Sequence, residues 1–276
     1  MSATSRRQLN LPGAAFGTLW LLITLVPIYY IVVTSLRPRE EYFTSNPLSV
    51  PTDPTLKAYR EVLEAGFTSY LVNSVIVTVA TVSVVVVLSL MTAYVIVHNR
   101  SALSRRTFEV LLLGIAIPIQ ATIVPVYYLI VKLGLYDTLP ALILPSIAFA
   151  IPISVLIMVN FVRDIPKELF ESMRLDGASE WAMLRRLVAP MTKPAIITVA
   201  IYDALTVWNG FLFPLILTQS SDKRVLPLSL WAFQGSFSVN IPAVLAAVVL
   251  SVVPLVVAYA FGRRQLVSGL TAGFGK

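Results

Sequence analysis

Few side chains in this chain can do chemistry, and fewer still lie where chemistry would matter. Of 21 Lys+Arg and 14 Asp+Glu, only Glu109 and Asp203 fall within strongly apolar surroundings. Asp203 has company. At about 100° per residue on a helix, Tyr202, Asp203, Thr206, Asn209 and Gly210 share an arc of roughly 120°, while Trp208 points the other way. A carboxylate, a hydroxyl, a carboxamide and an aromatic ring on one helical stripe are what a polyhydroxylated solute would need on its way through a membrane. The same stripe could equally bond one helix to another, since Thr and Asn do so across helices in lipid. A lone buried acid could also serve an ion-coupled carrier. His98 is the one histidine and there is no cysteine, so thiol chemistry and Cys-built metal centres are excluded. His98 by itself is expected to sit at headgroup level. No phosphate-cradling loop is present: the one Gly-Lys pair is Gly275-Lys276, and Leu270 stands where such a loop needs its first glycine. Any nucleotide must be bound by another chain.

A second group of residues lies in a charged segment. Residues 163–194 hold eleven charged side chains in an otherwise apolar sequence. Asp164-Ile165-Pro166-Lys167-Glu168 has the acid and proline expected at a helix start. Leu169, Phe170 and Met173 then share a face until Asp176-Gly177 breaks the pattern. A second helix is expected from Ser179, with Trp181, Leu184, Leu187 and Val188 as its apolar stripe, ending at Pro190 and Pro194. Gly177 permits a sharp turn, and Asp176 could cap the second helix. The product is a helical hairpin, apolar on one side and charged on the other, which either rests on lipid headgroups or docks in a groove of a partner.

The elements that position these groups are set by composition. The 276 residues are 57% hydrophobic and only 13% charged, with a mean hydropathy of +0.81, too few charges to cover a water-facing surface. The apolar residues fall in six runs, near 15–36, 70–97, 108–131, 139–162, 195–217 and 242–262. Each exceeds the roughly 20 residues a helix needs to cross a hydrocarbon layer, so six transmembrane helices are expected in an all-α integral membrane protein. Residues 1–14 precede them and 263–276 follow, the latter a flexible tail suggested by Gly269, Gly273 and Gly275. The first run lacks a cleavage site and is read as an anchor. With the amino terminus cytoplasmic, 14 basic residues lie inside and seven outside, as the positive-inside rule requires. Both termini and the 163–194 hairpin are then cytoplasmic. The net charge of +7 sits in short connectors, which argues against nucleic acid. Pro118, Pro125, Pro145, Pro152, Pro214 and Pro254 interrupt the runs and predict kinks satisfied by neighbouring helices. Gly13-x-x-x-Gly17 matches a helix-packing pattern at the membrane edge.

Glu171-Ser172-Met173-Arg174-Leu175-Asp176-Gly177-Ala178-Ser179, followed by Pro190 and Pro194, resembles the "EAA" loop of permease subunits of bacterial binding-protein-dependent ABC importers, with Ser172 and Met173 in place of two alanines. Trp208-Asn209-Gly210-Phe211-Leu212-Phe213-Pro214-Leu215, Leu226-Pro227-Leu228, Phe233-Gln234-Gly235 and the tail Arg264–Gly273 look like the carbohydrate-uptake branch, the maltose-permease type. The resemblance implies a type I importer permease fold (MetI-like) whose loop is a coupling helix seated in an ATPase. It implies no cofactor of its own, and as partners ATPase subunits that bind the ATP, a second related permease subunit, an extracytoplasmic sugar-binding protein and membrane lipid. Carried over to this sequence, Glu171, Asp176 and Gly177 match the loop and, with Arg174, would couple to the ATPase; the helical stripe of Tyr202, Asp203, Thr206 and Asn209 is the candidate lining of the pathway. A secondary transporter and an ABC importer for another solute remain the alternatives.

Overall fold

The six apolar runs do not all become straight rods. The computed structural model describes residues 11–99, 101–230 and 239–274, with side chains of the last helix described to Ala260. Arg6, Arg7, Arg100 and Phe233-Gln234-Gly235 lie outside the described residues. Helices appear in the order α1 (Leu11–Ser35), α2 (Arg39–Tyr42), α3 (Lys57–Glu64), α4 (Phe67–His98), α5 (Ala102–Ile115), α6 (Ile123–Lys132), α7 (Leu139–Arg163), α8 (Lys167–Leu175), α9 (Glu180–Met183), α10 (Ala189–Met191), α11 (Lys193–Trp208), α12 (Leu212–Leu217), α13 (Leu226–Ser229) and α14 (Ile241–Phe274).

Four of them, Leu11–Ser35, Phe67–His98, Leu139–Arg163 and Ile241–Ala260, are long and apolar enough to cross a membrane. The other two expected crossings need correction. The run at 108–131 is a pair, α5 and the stretch Ile119–Lys132, bent by 97°, because Pro118 cannot donate to the ladder and a 3₁₀ turn, Ile119–Thr122, follows it. The run at 195–217 stops at Trp208 and restarts at Leu212. Asn209 and Gly210 close the break by bonding back to Leu205 and Val207, and a Cβ on Gly210 would meet the Val207 carbonyl oxygen at 3.0 Å. The prolines predict interruption; two of the six expected crossings are broken in this way, at Pro118 and at Asn209-Gly210. The tail also differs from expectation: the backbone of α14 stays helical through Phe274.

The chain divides into two units. One comprises Met1–Gly66 and Leu230–Val253, the other Phe67–Ser229 and Pro254–Lys276. In the first, side chains of α1 from Leu11 to Tyr29 are all exposed. They are almost all apolar, and the hydroxyls of Thr18 and Thr24 bond back to Ala14 and Trp20 carbonyls, which suits a helix facing hydrocarbon. At the end of α1 the connector folds around Arg37, which is 1% exposed. Its guanidinium donates to the Asn46 carbonyl at 3.1 Å and the Ser49 carbonyl at 2.5 Å.

The second unit is built on α4, α7 and α11. The buried face of α4 repeats small or hydroxyl residues, Ser74, Thr78, Thr81, Val85, Ser89 and Ala93, which lets α7 come close. Helix α5 packs on α7 where Gly114 faces Pro152; a Cβ there would sit 2.9 Å from the proline ring. At one end the apolar cluster runs through Tyr94, Val155, Met158, Val159, Val162 and Val199 to Phe170, Met183, Leu184 and Val188. Side chains of this size, fully buried, contribute about 1.5–3 kcal/mol each in water, so the hairpin's inner face is held firmly to the helices where it leaves the bilayer. At the other end Asp137, with φ 60°, accepts from the Gln219 and Ser220 amides at 2.8 and 3.0 Å and ties the α6–α7 turn to the segment after α12.

Candidate functional site

Two places gather the residues singled out from sequence, both within the second unit. The first is the hairpin. Helix α8 ends at Asp176, and Gly177 takes φ 76°, a left-handed conformation that costs other residues about 1–2 kcal/mol. The Gly177 amide donates to the Arg174 carbonyl at 3.0 Å and the Ala178 amide to the Met173 carbonyl at 2.9 Å. This is the paired bonding of a Schellman cap, and Met173 and Ala178 both pack against the buried cluster. Ser179, not Asp176, caps the next helix: its Oγ accepts from the Ala182 amide at 3.3 Å. Asp176 is itself the final cap residue of α8, so its side chain is on the wrong side of the turn for the capping role expected of it.

The second arm also departs from the expected simple helix. It runs through α9, a wide π-type turn over Leu184–Val188, and α10. Pro190 and Pro194 do not end it; each occupies the first turn of a helical piece, where a missing amide costs nothing. Only Thr192 separates α10 from α11, and it is buried, its amide and hydroxyl both donating to the Val188 carbonyl at 2.9 and 2.8 Å. The arm therefore continues mechanically into α11. Of the expected apolar stripe, Leu184 and Val188 are buried, but Trp181 is 63% exposed. Leu175, at the tip, is 89% exposed.

Arg174 binds His98 at the end of α4 and lies 3.4 Å from Glu180. Glu180 accepts a hydrogen bond from the Tyr94 hydroxyl and sits 3.8 Å from His98 Nε2. The Tyr94 and His98 rings stack with centroids 5.2 Å apart, and His98 meets Phe170 at 5.4 Å. The Tyr94 hydroxyl, aided by Arg174 and His98, holds the Glu180 carboxyl below the usual carboxylate range against a smaller opposing effect of burial. His98 thus clasps the hairpin to α4, a role no local signal announces, because its partners are on other elements. Glu171 is exposed, makes no hydrogen bond or ion pair among the described residues, and lines a cleft of about 490 Å³ with Tyr94, His98, Arg163, Lys167 and Arg174.

The second place is a cavity of about 290 Å³ walled by α4, α7, α11 and α12. Tyr202, Asp203 and Thr206 line it; Asn209 does not. Asn209 is exposed at the helix break and its carboxamide nitrogen donates to the Leu205 carbonyl at 2.7 Å. Gly210 lines the cavity too, so four of the five stripe residues are brought together. Asp203 is 1% exposed; its Oδ2 accepts from Ser154 Oγ at 2.8 Å and its Oδ1 has no partner. A charge at membrane depth costs at least about 2.5–3.5 kcal/mol, and one serine bond offsets only part of that. Ser74, Thr78 and Ser146 add hydroxyls from α4 and α7, and Phe149, Phe211 and Phe213 add apolar faces.

Comparison with known proteins agrees with this architecture. A putative ABC transporter permease protein of Caldicellulosiruptor is 38% identical over 94% of both chains. A diacetylchitobiose uptake system permease protein of Streptomyces coelicolor is 31% identical, covering 99% of this chain and 91% of the relative. Among solved structures, a bacterial ABC transporter involved in import of the acidic polysaccharide alginate superposes with a TM-score of 0.81 at 21% identity, covering 96% of this chain and 98% of the other; that likeness is one of fold. The family model described as binding-protein-dependent transport system inner membrane component matches residues 64–267, which take in the hairpin, its clasp and the cavity alike, and the chain belongs to that family.

Proposed function

We propose that this chain is a membrane-spanning subunit of an ATP-driven importer in a bacterial cytoplasmic membrane and that its cargo is a sugar or oligosaccharide. The observation that carries the reading is the hairpin. Its inner face is buried against the helices, while Leu175, Trp181 and the exposed carboxylates of Glu171 and Asp176, without a partner among the described residues, face outward. Large exposed apolar groups beside free charges are what a groove on a partner recognises. The partner is an ATPase subunit, which binds the ATP. Its closure presses on the hairpin; the second arm, continuous with α11, carries that movement to Tyr202, Asp203 and Thr206, and the clasp at His98 and Glu180 carries it to α4. Both termini and the hairpin face the cytoplasm in this reading, on the balance of basic residues. A second, related permease subunit covers the exposed apolar helix faces that lipid does not, and an extracytoplasmic sugar-binding protein delivers the cargo. The sugar class is supported by the diacetylchitobiose uptake relative and by a cavity that pairs hydroxyls with aromatic faces.

The test is purification from the native membrane with uptake measured in the same cells. Co-purification of an ATPase and a second permease, with loss of growth on at least one oligosaccharide after deletion, is the expected result. In those cells a cysteine replacing Arg105, which is 82% exposed at its side chain, should react with an impermeant maleimide only after the membrane is opened. Uptake driven by an ion gradient with no ATPase present would overturn the reading.

A further inference from the structure

The cavity beside Asp203 carries information about charge as well as about size. Among the residues that line it, Asp203 is the one charged side chain; none is Lys, Arg or His. Two polar atoms on lining residues are buried without a partner, Asp203 Oδ1 and Thr78 Oγ1. Those residues are 1% and 8% exposed, and buried polar atoms are otherwise almost always bonded. Ser154 fixes the carboxylate by taking its other oxygen, so Oδ1 is held as an acceptor in want of a donor. Thr78 offers an acceptor and a donor on the facing helix.

An entering group with hydroxyls satisfies both atoms. An entering carboxylate can accept from Thr78 but leaves Asp203 unsatisfied: it has no proton to give, meets like charge in a medium of low dielectric, and finds no cation on the wall. At about 290 Å³ the space is near the lower end of small-ligand pockets, so cargo would be engaged a unit or so at a time. Phe149 and Phe213, with ring centroids 5.6 Å apart, supply an apolar surface for a ring face.

We propose that Asp203 and Thr78 form a hydroxyl-binding subsite on the transport path that admits uncharged sugar units and rejects those bearing a carboxylate. The proposal rests on the sugar-importer reading and adds its selectivity. The chain has no cysteine, so Ser146→Cys, on the cavity wall, reports occupancy by protection from a small thiol reagent. The measurement uses the importer purified with its partners and reconstituted in vesicles. The probes are methyl glucoside, methyl N-acetylglucosaminide and methyl glucuronide.

Both uncharged glycosides should protect, and the glucuronide should be weaker by about tenfold or more. Asp203→Asn keeps an acceptor for Ser154 and should bring the glucuronide to within about threefold of the glucoside. Thr78→Val should weaken protection by the uncharged probes about fivefold without altering their ratio to the glucuronide. Equal protection by all three probes, a ratio unmoved by Asp203→Asn, or no protection by any of them overturns the subsite. Uptake of an oligosaccharide panel by the same vesicles separates the two levels: import without protection removes the subsite alone, and no sugar import removes the sugar reading with it.

Discussion

Gly177→Val should cut uptake to below about a tenth of normal while the protein reaches the membrane in normal amount. At φ 76° a β-branched residue is strained by more than the roughly 1–2 kcal/mol of an ordinary side chain, which is enough to unwind the Schellman cap and re-aim Leu175 and Trp181. A Cβ at this position would meet nothing within 4 Å, so the penalty is one of backbone conformation and not of collision. Gly177→Asn is therefore the telling control. Asparagine visits the left-handed region readily, and it should keep at least about half of the uptake. If Asn proved as damaging as Val, the position would be acting through contact with a partner and the turn argument would fail.

Glu180→Lys should uncouple the motor from the pathway. The substitution places a cation beside Arg174 and His98 and removes the acceptor of the Tyr94 hydroxyl, so the hairpin loses its hold on the end of α4. The carboxylate is well exposed, so each contact is worth little in global stability; the loss falls on transmission. ATP hydrolysis by the purified complex should persist while its stimulation by cargo drops about tenfold or more, with unfolding temperature little changed. Combining Glu180→Arg with Arg174→Glu restores the ion pair in reverse, and recovery of a substantial part of the stimulation is expected, since residues in contact do not contribute additively. Equal stimulation in the wild type and Glu180→Lys would show that α4 receives its movement by another route.

The parts legible in sequence were those fixed over short distances. Apolar runs announced the long helices because lipid demands about 20 such residues without interruption, and Asp176-Gly177 announced the hairpin turn because few residues adopt its conformation. Pro118 marks where the run is interrupted, but its presence alone does not set the size of the bend, 97°. Thr192 gave no sign that the hairpin would run on into α11, since Pro190 and Pro194 read as terminators until each is seen in a first turn. The clasp was invisible: Tyr94 and Glu180 are 86 residues apart, and nothing in their local pattern pairs them. Asp203 was conspicuous as a lone acid, yet its partner Ser154 lies 49 residues away, and Asn209 left the stripe because the helix breaks at the very residue that periodicity placed on it.

An ATPase subunit is expected to grip the outer face of the hairpin. Because the chain has no cysteine, a single Glu171→Cys, exposed and unpaired, carries a short photoactivatable crosslinker without competition. In native membranes the account predicts one dominant adduct with a nucleotide-binding subunit, its yield changing when ATP is added. Crosslinking that captures only lipid, or the chain itself, in a complex shown to be assembled would contradict it.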